Sequence, residues 1–145
     1  MVDVVTETRI ERPRAEVASF AANPDNAPKW YENIKHVRWQ TEGPLAVGSA
    51  IDFVAHFLGR RLSYTYQVVE YIPEERLVMR TSEGPFPMET TYTWQRTPEG
   101  HTHMTLRNRG TPAGFSRIFA PFMKQAMRRA NRKDLARLKQ LLEEQ

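Results

Sequence analysis

Between residues 36 and 109, apolar side chains recur at alternate positions in six successive stretches, 36–40, 49–58, 61–71, 76–82, 88–96 and 101–109. A period of two is the mark of a half-buried strand. The breaks between stretches carry turn chemistry: Gly43-Pro44, Gly59-Arg60, Ile72-Pro73-Glu74-Glu75, Gly84-Pro85 and Pro98-Glu99-Gly100. Glycine admits positive φ and proline fixes φ near the turn value. A parallel crossover needs a dozen or more residues, so such short gaps predict an antiparallel meander.

What flanks the meander completes the architecture. Residues 2–10 alternate weakly and read as a first strand. Pro13 then suits the first turn of a helix over 13–22, with Val17 and Phe20 on its apolar face. Asn23-Pro24-Asp25 ends that helix, and a second short one over 24–31 carries Trp30. At the other end, residues 113–144 predict one long helix or two joined pieces. Its apolar face runs through Phe119, Met123, Met127, Ala130, Leu135, Leu138, Leu141 and Leu142. Pro121 predicts a kink or break, because its ring opposes the carbonyl of Arg117. The fold expected is α+β: about seven antiparallel strands in one curved sheet, two short helices after the first strand, and a long C-terminal helix across the concave face. A twisted sheet of this size curls, and the terminal helix is the element available to bury its hollow side. Residues 1–145 are expected to form one domain.

Composition removes several function classes. With no cysteine, disulfides, cysteine-based metal sites and a thiol nucleophile are excluded together. No apolar run is long enough to cross a bilayer, and the first residues lack a signal-like pattern, so a cytoplasmic location is expected. Charge is uneven. Residues 113–145 hold 8 Lys and Arg against 3 Asp and Glu, whereas residues 1–112 hold 13 against 14. A solvated helix face accounts for this. The alternative is that Arg128, Arg129, Arg132 and Lys133 meet an anionic surface or RNA; no specific nucleic-acid partner is expected.

Sorting the strands by alternation gives inward faces of mixed character. Ile51, Phe53, Ala55 and Phe57 share one face; Leu62, Tyr64, Tyr66 and Val68 another; then Leu77 and Met79; Met88, Thr90, Tyr92 and Trp94; and Thr102, Met104 and Leu106. A dry core favours Leu, Val and Ile, because buried Tyr and Trp need partners for their polar atoms. An apolar wall with a few polar handles suits a ligand pocket. The candidate ligand-binding residues are Trp30, Phe53, Phe57, Tyr64, Tyr66, Met79, Tyr92, Trp94, Met104, Phe119, Met123 and Met127.

Chemistry is less well supplied. His56, Arg80 and Glu89 fall on outward faces, and the inward polar groups are Tyr64, Tyr66, Tyr92 and Asn108. A tyrosine with its ordinary pKa near 10 needs a neighbouring positive charge to act as a base. No Lys or Arg falls on the inward faces, so no catalytic residue is assigned. If the chain were an enzyme, the three tyrosine hydroxyls should converge on one point. His101 and His103 lie two apart but read as strand-end histidines, and neither a metal nor a cofactor is expected. Asn131 and Asp134 sit near the centre of the terminal helix's apolar stripe. The expectation is a salt bridge from Asp134 to an arginine of the first helix or sheet edge, with Asn131 bonded to a strand end. The alternative is a polar floor to the pocket.

Several motifs, in order along nearly the whole chain, resemble those of a known superfamily. They are Ile10-Glu11-Arg12-Pro13 before a helix with Val17, then Trp30, and Leu45-Ala46-Val47-Gly48 entering a strand. Tyr66-Gln67-Val68-Val69-Glu70-Tyr71-Ile72-Pro73 with Arg76-Leu77 follows, then Gly100-His101-Thr102, and Asp134-Leu135-Ala136-Arg137-Leu138-Lys139. The chain is similar to the START-like, Bet v 1-like superfamily, in particular its bacterial polyketide cyclase/dehydrase and lipid-transport branch, also called SRPBCC. That resemblance implies a helix-grip fold with a hydrophobic small molecule, such as a lipid, quinone or polyketide, held between sheet and terminal helix. It implies as the alternative a polyketide cyclase/aromatase-like enzyme using the same cavity. Fold alone does not choose between them.

Overall fold

The computed structural model describes residues 2–57, 59–83, 87–110 and 120–144. Strand β1 (Val2–Ile10) leads into helix α1 (Arg14–Ala22), a 3₁₀ turn (Pro24–Asn26) and the one-turn helix α2 (Ala27–Trp30). Strands β2 (Ile34–Trp39), β3 (Ala50–Phe57), β4 (Arg60–Ile72), β5 (Arg76–Glu83), β6 (Met88–Arg96) and β7 (Thr102–Gly110) follow, and helix α3 (Ala120–Glu143) closes the chain. All seven strands form one antiparallel sheet in the order β1-β7-β6-β5-β4-β3-β2. Both the antiparallel meander and the terminal helix follow the sequence pattern.

Local chemistry explains the boundaries. Pro13 is the residue before α1, with φ −60° and extended ψ, and its carbonyl accepts from Val17 N–H at 3.1 Å. The expected continuous helix over 24–31 is instead a 3₁₀ turn followed by α2. Asn23 folds its side chain onto Asp25 N–H at 3.0 Å and so caps the 3₁₀ turn. β2 begins earlier than the alternation predicts, at Ile34, because an irregularity between Ile34 and His36 shifts the register against β3. Between β4 and β5 the tight turn places Glu74 at φ 68°, and Glu75 N–H reaches Ile72 C=O at 2.9 Å. Gly59 takes φ 75° at the β3–β4 hairpin, a conformation that L side chains rarely adopt. The stretch 113–119 of the expected terminal helix, the Gly84-Pro85 turn and the junction at which Pro121 would kink all lie outside the described residues.

Helix α3 packs chiefly along β1 and against α2. Its C-terminal end is tied to the end of β1. Glu11 N–H donates to Glu143 Oε2 at 2.8 Å, Arg12 Nη2 donates to Glu143 C=O at 2.8 Å, and Lys139 Nζ donates to Arg9 C=O at 2.7 Å. Leu135, Leu138 and Leu142 from this half join a core that includes Ile10, Val17, Trp94, Met104 and Leu106. Each leucine removed from water contributes roughly 1.5–3 kcal/mol. Because the helix leans on β1 at one edge, the sheet interior from β3 to β6 is not filled by it.

Candidate functional site

The space left between the middle of α3 and the sheet is a hollow of about 130 Å³. Its walls come from the strand faces that alternation turns inward: Phe53 and Ala55 of β3, Leu62, Tyr64 and Tyr66 of β4, Met79 of β5, Met88, Thr90 and Tyr92 of β6, and Asn108 of β7. The helix supplies Met127, Ala130, Asn131 and Asp134, and the segment entering β2 supplies Tyr31, Asn33 and Ile34. The wall contains no Lys, Arg or His among the described residues.

Of the residues singled out from sequence, Phe53, Tyr64, Tyr66, Met79, Tyr92 and Met127 border this hollow. Trp30, Trp94, Met104 and Met123 do not; they are buried in packed core. Trp30 packs against Tyr31 in a tilted arrangement at a ring-centroid distance of 4.1 Å, and Trp94 and Tyr92 meet edge to face at 6.0 Å. An inward face says that a side chain is buried, but the depth along its strand decides whether it meets a cavity or another side chain. The Phe57 side chain and Phe119 lie outside the described residues. The indole N–H groups of Trp30 and Trp94 are buried without partners, against the expectation that such groups find one.

The polar groups of the wall are mostly engaged with one another. Tyr31 and Tyr92 share a hydroxyl–hydroxyl hydrogen bond of 2.6 Å. Thr90 Oγ1 donates to Asn108 Oδ1 at 2.7 Å, and the Tyr66 hydroxyl donates to Met88 Sδ at 3.1 Å. The Tyr92 hydroxyl is thus engaged with Tyr31, and that of Tyr66 with Met88 and Thr90. Burial raises the pKa of Tyr31, Tyr64 and Tyr92 and pushes Tyr66 up to about 12, so these hydroxyls are neutral donors at physiological pH.

Asp134 and Asn131 require a correction. The expected salt bridge is replaced by a backbone contact: Asp134 Oδ1 accepts from Glu32 N–H at 3.0 Å. Both residues border the hollow, which is the polar floor that stood as the alternative. Asp134 is 3% exposed, and its burial outweighs the Glu32 hydrogen bond to raise its pKa to about 6. Asn131 is 5% exposed, and its Nδ2 is buried with no partner. Leaving such a donor unpaired costs roughly 1–3 kcal/mol. Sequence does not single out Tyr31 and Asn33, since a one-turn helix shows no periodicity to place them.

Outside the hollow the chemistry is structural. Glu89 accepts from Arg80 at 2.7 Å and Arg109 at 2.8 Å on the outer face, as alternation predicts for Arg80 and Glu89. His103 Nε2 lies 3.2 Å from Glu7 Oε2, and His101 Nδ1 lies 3.1 Å from Arg9 Nη2. Among the described residues no three His, Asp or Glu side chains gather as a metal site, and no helix is long and apolar enough to cross a membrane.

A family model described as polyketide cyclase/dehydrase and lipid transport matches residues 1–143. No functionally curated protein matches the chain. Among solved structures, protein TTHA0849 of Thermus thermophilus is similar at TM-score 0.82 and 18% identity, covering 95% of this chain and 94% of the other. A START superfamily protein of Mycobacterium smegmatis aligns at TM-score 0.81 and 12% identity, covering 98% and 97%. The Zhui aromatase/cyclase of Streptomyces sp. R1128 aligns at TM-score 0.79 and 13% identity, covering 94% and 90%. At these identities the structural likeness speaks for the helix-grip fold alone.

Proposed function

Because the chain belongs to the polyketide cyclase/dehydrase and lipid-transport family, we propose that it binds a hydrophobic small molecule in the hollow between the sheet and α3. The observation that carries this reading is the composition of the wall. Phe53, Leu62, Met79, Met88, Met127 and the tyrosine rings make it apolar, and its few polar groups sit at defined places. A core evolved for stability alone gains nothing from leaving about 130 Å³ open. The test uses a neutral naphthalene dye whose emission shifts to the blue in apolar surroundings. It should bind the folded wild type, and Ala130→Phe, which fills the hollow from the helix, should weaken binding at least tenfold with the circular dichroism unchanged. Binding that ignores the filled hollow would place the dye elsewhere and sink the proposal.

One observation favours a second reading, a cyclase-like reaction in the same hollow. Asp134 is a buried carboxyl with its pKa raised to about 6, close to where a general base or acid works best. On this reading Asp134 takes or returns the proton while the neutral Tyr31–Tyr92 pair donates to a developing oxyanion. The tyrosines themselves are unsuited as bases, because burial raises their pKa values and no cation lines the wall among the described residues. Conversion of a polyketone probe, lost in Asp134→Asn, would establish this reading over simple binding.

A further inference from the structure

Two side chains of α3 stand out on the wall: an amide whose nitrogen has no hydrogen-bond partner, and a buried carboxyl. Asn131 lies on the wall, and its Nδ2 is buried without a hydrogen-bond partner. One helical turn further along α3, Asp134 uses Oδ1 to accept from Glu32 N–H. The neighbouring handles are already paired, Tyr31 with Tyr92 and Thr90 with Asn108. No Lys, Arg or His stands on the wall among the described residues.

We propose that Asn131 and Asp134 set the class of ligand: a molecule with an apolar body and a neutral oxygen acceptor, such as a ketone, that lies against the middle of α3 and accepts from Asn131 Nδ2. This rests on the binding function proposed above and narrows it. The argument from the donor is one of pairing, since a ligand oxygen that meets a buried orphan donor recovers the hydrogen bond lost on folding. The argument from charge is one of exclusion. A carboxylate or phosphate head placed there would be buried beside the Asp134 carboxyl, with no cation on the wall among the described residues to pair with. Ligands of the free fatty-acid or phosphate-headed kind are therefore disfavoured at this wall, and neutral carbonyl compounds are preferred.

Three naphthalenes of almost identical shape separate the possibilities: 2-acetylnaphthalene, 2-isopropylnaphthalene and 2-naphthoate. Their affinities are measured calorimetrically at pH 8 for wild type, Asn131→Leu and Asp134→Asn, with Asn131→Ala as a second variant should the leucine disturb folding. In Asn131→Leu the ketone should lose about five- to tenfold relative to the isopropyl compound, the worth of one hydrogen bond. The naphthoate should bind wild type at least tenfold more weakly than the ketone, and Asp134→Asn should narrow that gap. A ketone-to-isopropyl ratio that is the same in wild type and the Asn131 variants overturns the donor's role, and naphthoate binding as tight as the ketone overturns the exclusion. In both cases binding of the isopropyl compound would leave the pocket itself standing. If none of the three binds wild type, the binding function fails and this inference with it.

Discussion

Two stretches of α3 face the same sheet and do opposite things. Around Leu135, Leu138 and Leu142 the helix is pinned to β1 and its side chains are at most 1% exposed in a closed core. In the two turns leading up to Leu135, Met127, Ala130, Asn131 and Asp134 border the hollow. The first stretch uses residues that fill volume and carry no polar atoms. The second uses a thioether, a methyl, an amide and a carboxyl, a set that fills poorly and leaves hydrogen-bonding capacity unspent. The difference teaches that a single amphipathic stripe can hold two functions in series, one half securing the helix and the other shaping a cavity.

The largest expected effect tests the dry half. Leu138→Ala should lose about 2–5 kcal/mol in urea unfolding, because it opens a new void in a closed core. Met127→Ala should lose clearly less, since that side chain already borders empty space. Equal losses, read from midpoints with unchanged slope, would erase the contrast between the two stretches.

Next in size is the pH dependence of the polar stretch. Asp134 has an ordinary pKa of 3.8 raised to about 6 in the folded protein. The folded state therefore holds the extra proton between those values, and the stability due to this group falls as pH rises through that window. Above it the penalty is complete. Asp134→Asn keeps an oxygen for Glu32 N–H and removes the charge, so the variant should gain about 1–3 kcal/mol over wild type at pH 8, with the gain fading toward pH 4. Asp3, Glu89 and Glu143, whose ion-paired carboxyls have lowered pKa values, are common to both proteins and cancel in the difference. A gain that did not vary with pH would mean that Asp134 is not charged in the hollow.

The smallest effect concerns the tyrosine pair. Tyr31→Phe removes one side of the 2.6 Å hydrogen bond and leaves the Tyr92 hydroxyl alone on the wall, at a cost of about 1 kcal/mol. Tyr92→Phe should cost about the same, and the double variant less than the sum of the two, as expected for groups that share one bond. Full additivity in thermal unfolding would show that the hydroxyls act independently.

The legible part of this protein was the part with a period. Alternation in β4 and β6 turned Tyr64, Tyr66 and Tyr92 inward, and the 3.6-residue spacing set Met127, Leu135 and Leu138 on one face of α3. What it did not give was depth. Trp30 and Trp94 lie on the correct side yet behind the wall, because the hollow's position depends on where α3 leans away from the sheet. Nor did it give the partner of Asp134. An arginine is the partner to expect for a buried carboxyl, but the donor is the backbone N–H of Glu32, 102 residues away in sequence. A backbone donor is present at every residue except proline, so composition carries no trace of which one is used.

The pairing of the first strand with the last has a consequence in time. Val2 stands opposite Gly110 and Ile10 opposite Thr102, so β1 can find its neighbour only after roughly a hundred residues more have been made. At translation speeds of about 5–20 residues per second that wait lasts on the order of 5–20 s. Throughout it Val2, Val4 and Ile10, which end buried, lack the strand they pair with. The nascent chain therefore passes through an interval in which β2 to β6 can zip up hairpin by hairpin while the opening segment trails unsheltered. It is in that interval, more than in the finished molecule, that a chaperone or a stray strand edge would find it.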